Sequence, residues 1–228
     1  AVGNAVRKSG IPRDEFFIVT KIWLTNSGEA KAEASFTESL KKLHTDYVDL
    51  LLVHQPFGDY YGTYRTMEKA LAEGRTRAIG VSNFYADRFH DLVCHNSIVP
   101  AIDQLETNVF SQQTSMRGLL EQTGTKVMAW GPMAQGKDGF FGHEILGRIG
   151  EKYGKTSTQV GLRFLVQQGI PAIPKTTRIE RMRENFDIFD FRLDDEDMAE
   201  LMALNLHDAG TRDYTDLGYA SRIIAQTF

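Results

Sequence analysis

Cysteine is almost absent from this chain of 228 residues: Cys94 stands alone, so no intramolecular disulfide framework can form. That usage fits a reducing compartment and sets the expectation of a cytoplasmic protein, with Cys94 read as a small, half-buried apolar residue. A basic excess is missing as well. The 26 Lys and Arg against 30 Asp and Glu leave a net charge of -4, which disfavours a nucleic-acid partner. No apolar run reaches the length of a membrane span, and the first residues lack the charged-then-apolar layout of a signal peptide. His54, His90, His95 and His143 show no HExxH or paired-cysteine spacing, so no metal site is expected. There is no Pro-, Gly- or Ser-rich linker and no low-complexity tract or long charge block. With 42% hydrophobic and 25% charged residues, the chain reads as one globular domain over residues 1–228.

What is present is alternation. Residues 1–10 place Val2 and Val6 at helical spacing and end on Gly10 without a preceding N-cap, as the second half of a helix would. Short runs rich in Val and Ile then predict strands at 16–21, 47–54, 77–82, 101–106, 126–131, 171–175 and, on weaker patterning, 186–189. Helical periods fall between and after them, at about 29–43, 62–73, 86–95, 115–123, 144–153, 157–168, 178–184 and 194–205. Near-continuous apolar runs such as VDLLLV belong to parallel strands covered by helices on both faces. An open doubly wound sheet and a closed (β/α)8 barrel share this pattern, but the glycine-rich G-x-G-x-x-G turn of a doubly wound dinucleotide domain is absent. Polar residues stand instead at the C-terminal ends of several strands: Lys21, His54, Ser82 with Asn83, Gln104 and Lys175. A barrel builds its active site at those ends, so the expected fold class is α/β, a (β/α)8 TIM barrel.

At these same residues the chain resembles the aldo-keto reductase family. The motifs come in order: FFIVTKIW at 16–23, SLKKLHTDYVDLLLVHQP at 39–56, GVSNF at 80–84, Gln104, and IPKTTRIERMRENF at 173–186. The phrasing of FGDYYGTYRTMEKAL and ENFDIFDF is most similar to bacterial reductases of small dicarbonyls and keto-sugar acids, including the 2,5-diketogluconate reductases. The resemblance implies reduction of aldehydes and ketones with NADPH, giving NADP+, on a small-molecule carbonyl substrate by a monomer or weak dimer.

It also implies roles. Hydride delivery to a carbonyl leaves an alkoxide that must take up a proton, best from an acid whose pKa is lowered toward neutrality. Lys21 is the cation that lowers the pKa of a tyrosine acid, and His54 hydrogen-bonds or orients the substrate carbonyl. Ser82, Asn83 and Gln104 hold the nicotinamide carboxamide. Trp130 reads equally as a core tryptophan and as the ring stacked on the nicotinamide. The loop GPMAQG, with Gly131 and Met133, passes under the pyrophosphate, where small residues allow close backbone approach. Lys175, Thr176 and Arg181 form a 2′-phosphate site that favours NADPH over NADH, and Glu184 and Asn185 bind the adenine. Arg178 and Arg183 stay with a solvated basic face. Trp23 and Tyr60, the latter with Tyr61 in a loop, are expected to line the substrate pocket.

The family's catalytic Asp and Tyr correspond to no residue here; they are expected upstream of Ala1, with the first strand and the N-terminal hairpin. A chain without them reads alternatively as a catalytically inactive NADP(H)-binding or regulatory relative. The segment 207–228 stands where the family carries a variable substrate-covering tail. Nothing in it matches a specific motif, and Asp208, Arg212 and Asp213 read as solvated.

Overall fold

The computed structural model describes residues 1–208 and 210–226; Ala209 and the last two residues of the 207–228 tail lie outside it. The chain divides into two compact units, one built from Ala1–Asp103, Thr123–Thr125 and the stretch from Tyr214 onward, the other from Gln104–Gln122 and Lys126–Asp213. Among the described residues no helix is long and apolar enough to cross a membrane, and no group of three or more His, Cys, Asp or Glu is set to hold a metal ion.

The first unit opens with helix α1 (Val2–Ser9), which ends on Gly10 in the left-handed conformation. It continues as β1 (Val19–Ile22), α2 (Glu29–Leu43), β2 (Leu50–Val53), α3 (Tyr60–Ala72), β3 (Ile79–Ser82) and α4 (Ala86–His95). The three strands are parallel in sequence order, with Lys21 opposite Leu52 and Leu52 opposite Gly80. Every residue of β2 is buried, as a strand covered on both faces requires. Helix α2 turns Ala32, Phe36 and Leu40 inward at intervals of four. Gly80 has a steric reason: a Cβ there would stand 2.4 Å from the Ile102 carbonyl oxygen, so only glycine admits the approach of the β4 backbone (Ile102–Glu106). Opposite the strand ends that carry Lys21 and His54, buried Asp49 pairs with Arg13 at 2.9 Å and Arg77 at 3.2 Å, and both guanidinium groups stack on Tyr47. The tail adds α10 (Leu217–Ala225) to this unit, capped by the Asp216 side chain, a helix the sequence pattern did not predict.

The second unit holds the end of β4, then α5 (Thr114–Glu121), β5 (Lys126–Trp130), α6 (Glu144–Tyr153), α7 (Ser157–Gln167), α8 (Ile179–Phe186) and α9 (Asp195–Met202). Helices α7 and α9 each begin with a reciprocal capping box, Thr156 with Gln159 and Asp194 with Asp197. Two expected strands change here. Residues 171–175 pair only through a single parallel bridge, Ala172 to Ala129, because Pro171 and Pro174 have no N–H to donate to a longer ladder. Residues 186–189 are not a strand: Phe186 ends α8, and the Asp187 carboxylate accepts from Lys155 Nζ at 2.8 Å, which holds the chain in a turn away from any sheet. Cys94 is exposed on α4 rather than half-buried, its thiol 3.6 Å from His90 Nε2, because α4 turns Phe89 and Leu92 inward instead.

Candidate active site

In the first unit the strand ends converge. Lys21 is the third residue of β1, and Trp23 follows the strand directly. His54 follows β2; its backbone N–H donates to the Ile22 carbonyl, and its ring meets Trp23 edge-on with centroids 4.7 Å apart. Ser82 ends β3, and Asn83 takes a left-handed φ of 64°, which asparagine tolerates better than most side chains. That turn lets Asn83 Nδ2 donate to the His54 carbonyl at 3.3 Å and to Ser82 Oγ at 3.1 Å, tying the ends of β2 and β3 together. Burial lowers the Lys21 pKa. Burial, and then the Lys21 charge, hold His54 down to about 4, so its imidazole is neutral at physiological pH and carries a ring N–H able to donate without a charge. Among the described residues Lys21 has no ion-pair partner.

Tyr60 is placed differently from the sequence expectation. It opens α3 rather than lying in a loop, and it is buried, packed edge-on against Phe84 at 5.2 Å. Tyr214 of the tail also stands beside the loops after β2 and β3, where it meets Phe57 at 6.3 Å and Tyr85 at 5.6 Å.

The second unit carries a cleft of about 680 Å³. One wall is the loop after β5, with Gly131, Met133, Gln135 and Gly136; the other is the segment from Ile173 into α8, with Lys175, Thr176, Arg181, Glu184 and Asn185. These residues are the ones the sequence singled out around GPMAQG and IPKTTRIERMREN. Phe141 and the segment 156–158 at the start of α7 also line the cleft and were not foreseen; Thr156 Oγ1 donates to Glu184 Oε1 at 2.7 Å, so the α7 cap fixes a residue of the opposite wall. Gly131 and Gly136 adopt positive φ of 61° and 75° and let the loop turn tightly along the cleft. Neither Lys175 nor Arg181 forms an ion pair with a described residue, while Arg178 reaches Glu180 at 3.9 Å on the exposed face. Gln104 and Trp130 lie outside the cleft lining. Gln104 is buried on β4, its Nε2 donating to Met128 Sδ, and Trp130 ends β5 beneath the guanidinium of Arg212.

Two cations, a hydroxyl and a polar helix turn beside a loop of small residues form a surface for a phosphorylated ligand. A neutral imidazole beside a half-buried ammonium suits an oxygen that gains negative charge. The aldo/keto reductase family profile matches residues 1–138 and 142–206. The chain belongs to the aldo/keto reductase family. The glyoxal reductase of Bacillus subtilis (strain 168) is 40% identical over 205 residues, which cover 90% of this chain and 74% of that protein. The crystal structure of MGS-M4, an aldo-keto reductase enzyme from a Medee basin deep-sea metagenome library, superposes with a TM-score of 0.91 at 36% identity, covering 95% of this chain and 80% of that one. Aldo-keto reductase AKR2E5, solved in complex with NADPH, gives a TM-score of 0.82 at 35% identity over 92% of this chain and 71% of that one. The α/β elements are therefore those of the family's (β/α)8 barrel, and the chain is an aldo-keto reductase by descent, a family of carbonyl-reducing oxidoreductases.

Proposed function

We propose that this reductase uses NADPH to reduce small aldehydes and ketones, dicarbonyls or keto-sugar acids, to alcohols. The observation that carries the reading is the second unit's cleft, where Lys175, Thr176 and Arg181 stand with the 131–136 loop and with Glu184 and Asn185. A 2′-phosphate is close to a dianion at neutral pH, and these groups give it a point charge, a hydroxyl and a guanidinium fork. A similar protein binding NADPH in its crystal structure and another named a glyoxal reductase support the same assignment.

When bound, the reduced nicotinamide supplies a hydride to the carbonyl carbon. The chain's own residues then deal with the oxygen. The neutral His54 imidazole donates to the carbonyl, and its bond strengthens as negative charge builds; the alkoxide takes its proton from the tyrosine acid that the family resemblance assigns, whose pKa the Lys21 ammonium lowers. Trp23, edge-on to His54, walls the imidazole and reduces water around it. Ser82, Asn83 and Gln104 are assigned to the carboxamide; Asn83 bonds the His54 carbonyl and Ser82 Oγ, and Gln104 is buried on β4.

The test is NADPH oxidation by the purified protein with glyoxal and methylglyoxal. Turnover with NADPH preferred over NADH is expected. NADPH binding with no oxidation of it by either dicarbonyl would overturn the enzyme reading in favour of a cofactor-binding relative.

A further inference from the structure

No residue of α8 is buried, so the wall it gives to the cleft of the second unit is held in place by polar ties. These come from the start of α7. Lys155 Nζ reaches the Asp187 and Asp190 carboxylates, each at 2.8 Å, and Gln159 Nε2 donates to the Asp187 carbonyl at 2.7 Å. Thr156 makes the tie that lies in the cleft lining. Its hydroxyl oxygen accepts the Gln159 amide at 3.3 Å as the α7 cap, and its single proton goes to Glu184 Oε1 at 2.7 Å. A hydroxyl can do both, since it donates once and accepts twice; aspartate caps a helix as well but has no proton to give at neutral pH. Glu184 Oε2 takes no bond from a described residue.

We propose that Thr156 is a positioning residue for the base of the cofactor: by holding Glu184 Oε1 it leaves Oε2 as the fixed acceptor for the exocyclic amine of adenine. This rests on the NADPH reading above and names the residue that orders its adenine contact. A glutamate side chain loses rotamer freedom when it grips a ligand, and that loss weakens binding unless a neighbour has already ordered the chain. The bond from Thr156 does so before the cofactor arrives. The contact carries specificity as well as affinity. A carboxylate accepts and cannot donate, so it favours the amine of adenine and opposes the oxygen that hypoxanthine carries at the same position. Without the Thr156 proton Glu184 is free to rotate, and the preference between the two bases falls while the cations for the 2′-phosphate, Lys175 and Arg181, stay as they were.

Fluorescence titration of the reduced nicotinamide gives the Kd of NADPH, of its hypoxanthine analogue and of NADH for the full-length protein and its variants. Thr156→Asp keeps the cap but not the donor, and Thr156→Val keeps neither. Both should weaken NADPH about 3- to 10-fold, the scale of one hydrogen bond within reach of water, and leave the hypoxanthine analogue within about twofold. NADH should weaken by the same factor as NADPH, because both carry adenine. Thr156→Ser should restore the wild-type constants, and in a Glu184→Ala background Thr156→Val should have no further effect on NADPH. Parallel losses for NADPH and its hypoxanthine analogue, wild-type NADPH affinity in Thr156→Asp, or an undiminished effect of Thr156→Val in the Glu184→Ala background would overturn the proposal and leave Thr156 as a helix cap. A wild type that binds none of the three dinucleotides would sink the NADPH reading itself, and this proposal with it.

Discussion

Removing the two cations of the cleft gives the sharpest test of the cofactor assignment. Lys175 and Arg181 are both exposed side chains. Water screens each contact to a bound phosphate, so each contributes about 1 to 1.5 kcal/mol, at the low end for hydrogen bonds to charged partners. The two contacts together amount to about 2 to 3 kcal/mol, or about 30- to 150-fold in Kd. Lys175→Ala with Arg181→Ala should therefore weaken NADPH by that factor and NADH by no more than about twofold, the usual scale for a surface substitution elsewhere. Fluorescence titration of the reduced nicotinamide measures both constants. Because the effect is Coulombic, raising salt should erode the wild-type preference for NADPH and leave the double variant nearly flat. Neither side chain is buried, so the melting temperature should hardly move, which separates lost binding from lost folding. Equal losses for the two cofactors would refute the 2′-phosphate assignment and leave these cations as a solvated face.

Two further expectations concern titrating groups. His54→Ala should lower kcat about a hundredfold while leaving the NADPH Kd unchanged, the pattern for a group that acts on the reacting oxygen; unchanged turnover would make His54 structural. Its folded pKa, held near 4, lies below the unfolded value, so the stability it confers is complete above about pH 6.5 and is lost as pH falls toward 4. A kcat/KM decline centred near pH 6.5 that disappears in His54→Gln would contradict this placement. Asp103 behaves in the opposite sense. Its carboxyl is fully buried, no side chain among the described residues hydrogen-bonds either oxygen, and burial raises its pKa well above the usual carboxylate value against the opposing Phe84 backbone. An acid raised on folding favours the folded state while protonated and disfavours it as pH rises, so Asp103→Asn should stabilise the protein by about 1 to 3 kcal/mol near neutrality. The gain should shrink as pH falls toward 4; equal denaturation midpoints at neutral pH would show that the carboxyl is better solvated than its burial implies.

The strand ends were legible because their signal is local. A run such as VDLLLV has one buried solution, and a polar residue directly after it has to lie at the strand's end, as His54 and Asn83 do after β2 and β3, while Ser82 closes β3 and Lys21 stands one residue inside the end of β1. The cation cluster at 175–181 was legible for the same reason, being a single contiguous segment. Where the signal was shared between two periods it misled: FDIF alternates like a strand, yet Asp187 is claimed by Lys155 and Phe186 completes α8. The expected strand at 171–175 has the right apolar content but spends two of its five positions on prolines, and composition alone does not show how few ladder bonds that leaves. Tyr60 was misplaced because a pair of tyrosines after a glycine reads as a loop, whereas the preceding Asp59 caps a helix through the Gly62 amide.

The tail failed for a deeper reason. Asp208 reaches Thr114 and Ser115, and Thr211 reaches Glu106, across separations of about a hundred residues, and no window of sequence contains both partners. Each of these residues alone reads as an ordinary solvated polar group, and all but one of the anchoring bonds depend on where β4 and α5 end in space. The burial cost of the Asp208 carboxylate is outweighed by the hydrogen bonds from Ser115, Asn205 and the Thr114 amide, which hold its pKa well below the carboxylate range and keep it charged as an anchor. A segment without regular structure can then position a side chain as firmly as a helix does, provided it is pinned on both sides of a short span. Asp208 and Thr211 both precede Arg212, and directly after the second anchor its guanidinium lies over the Trp130 ring and reaches Gln135 Oε1.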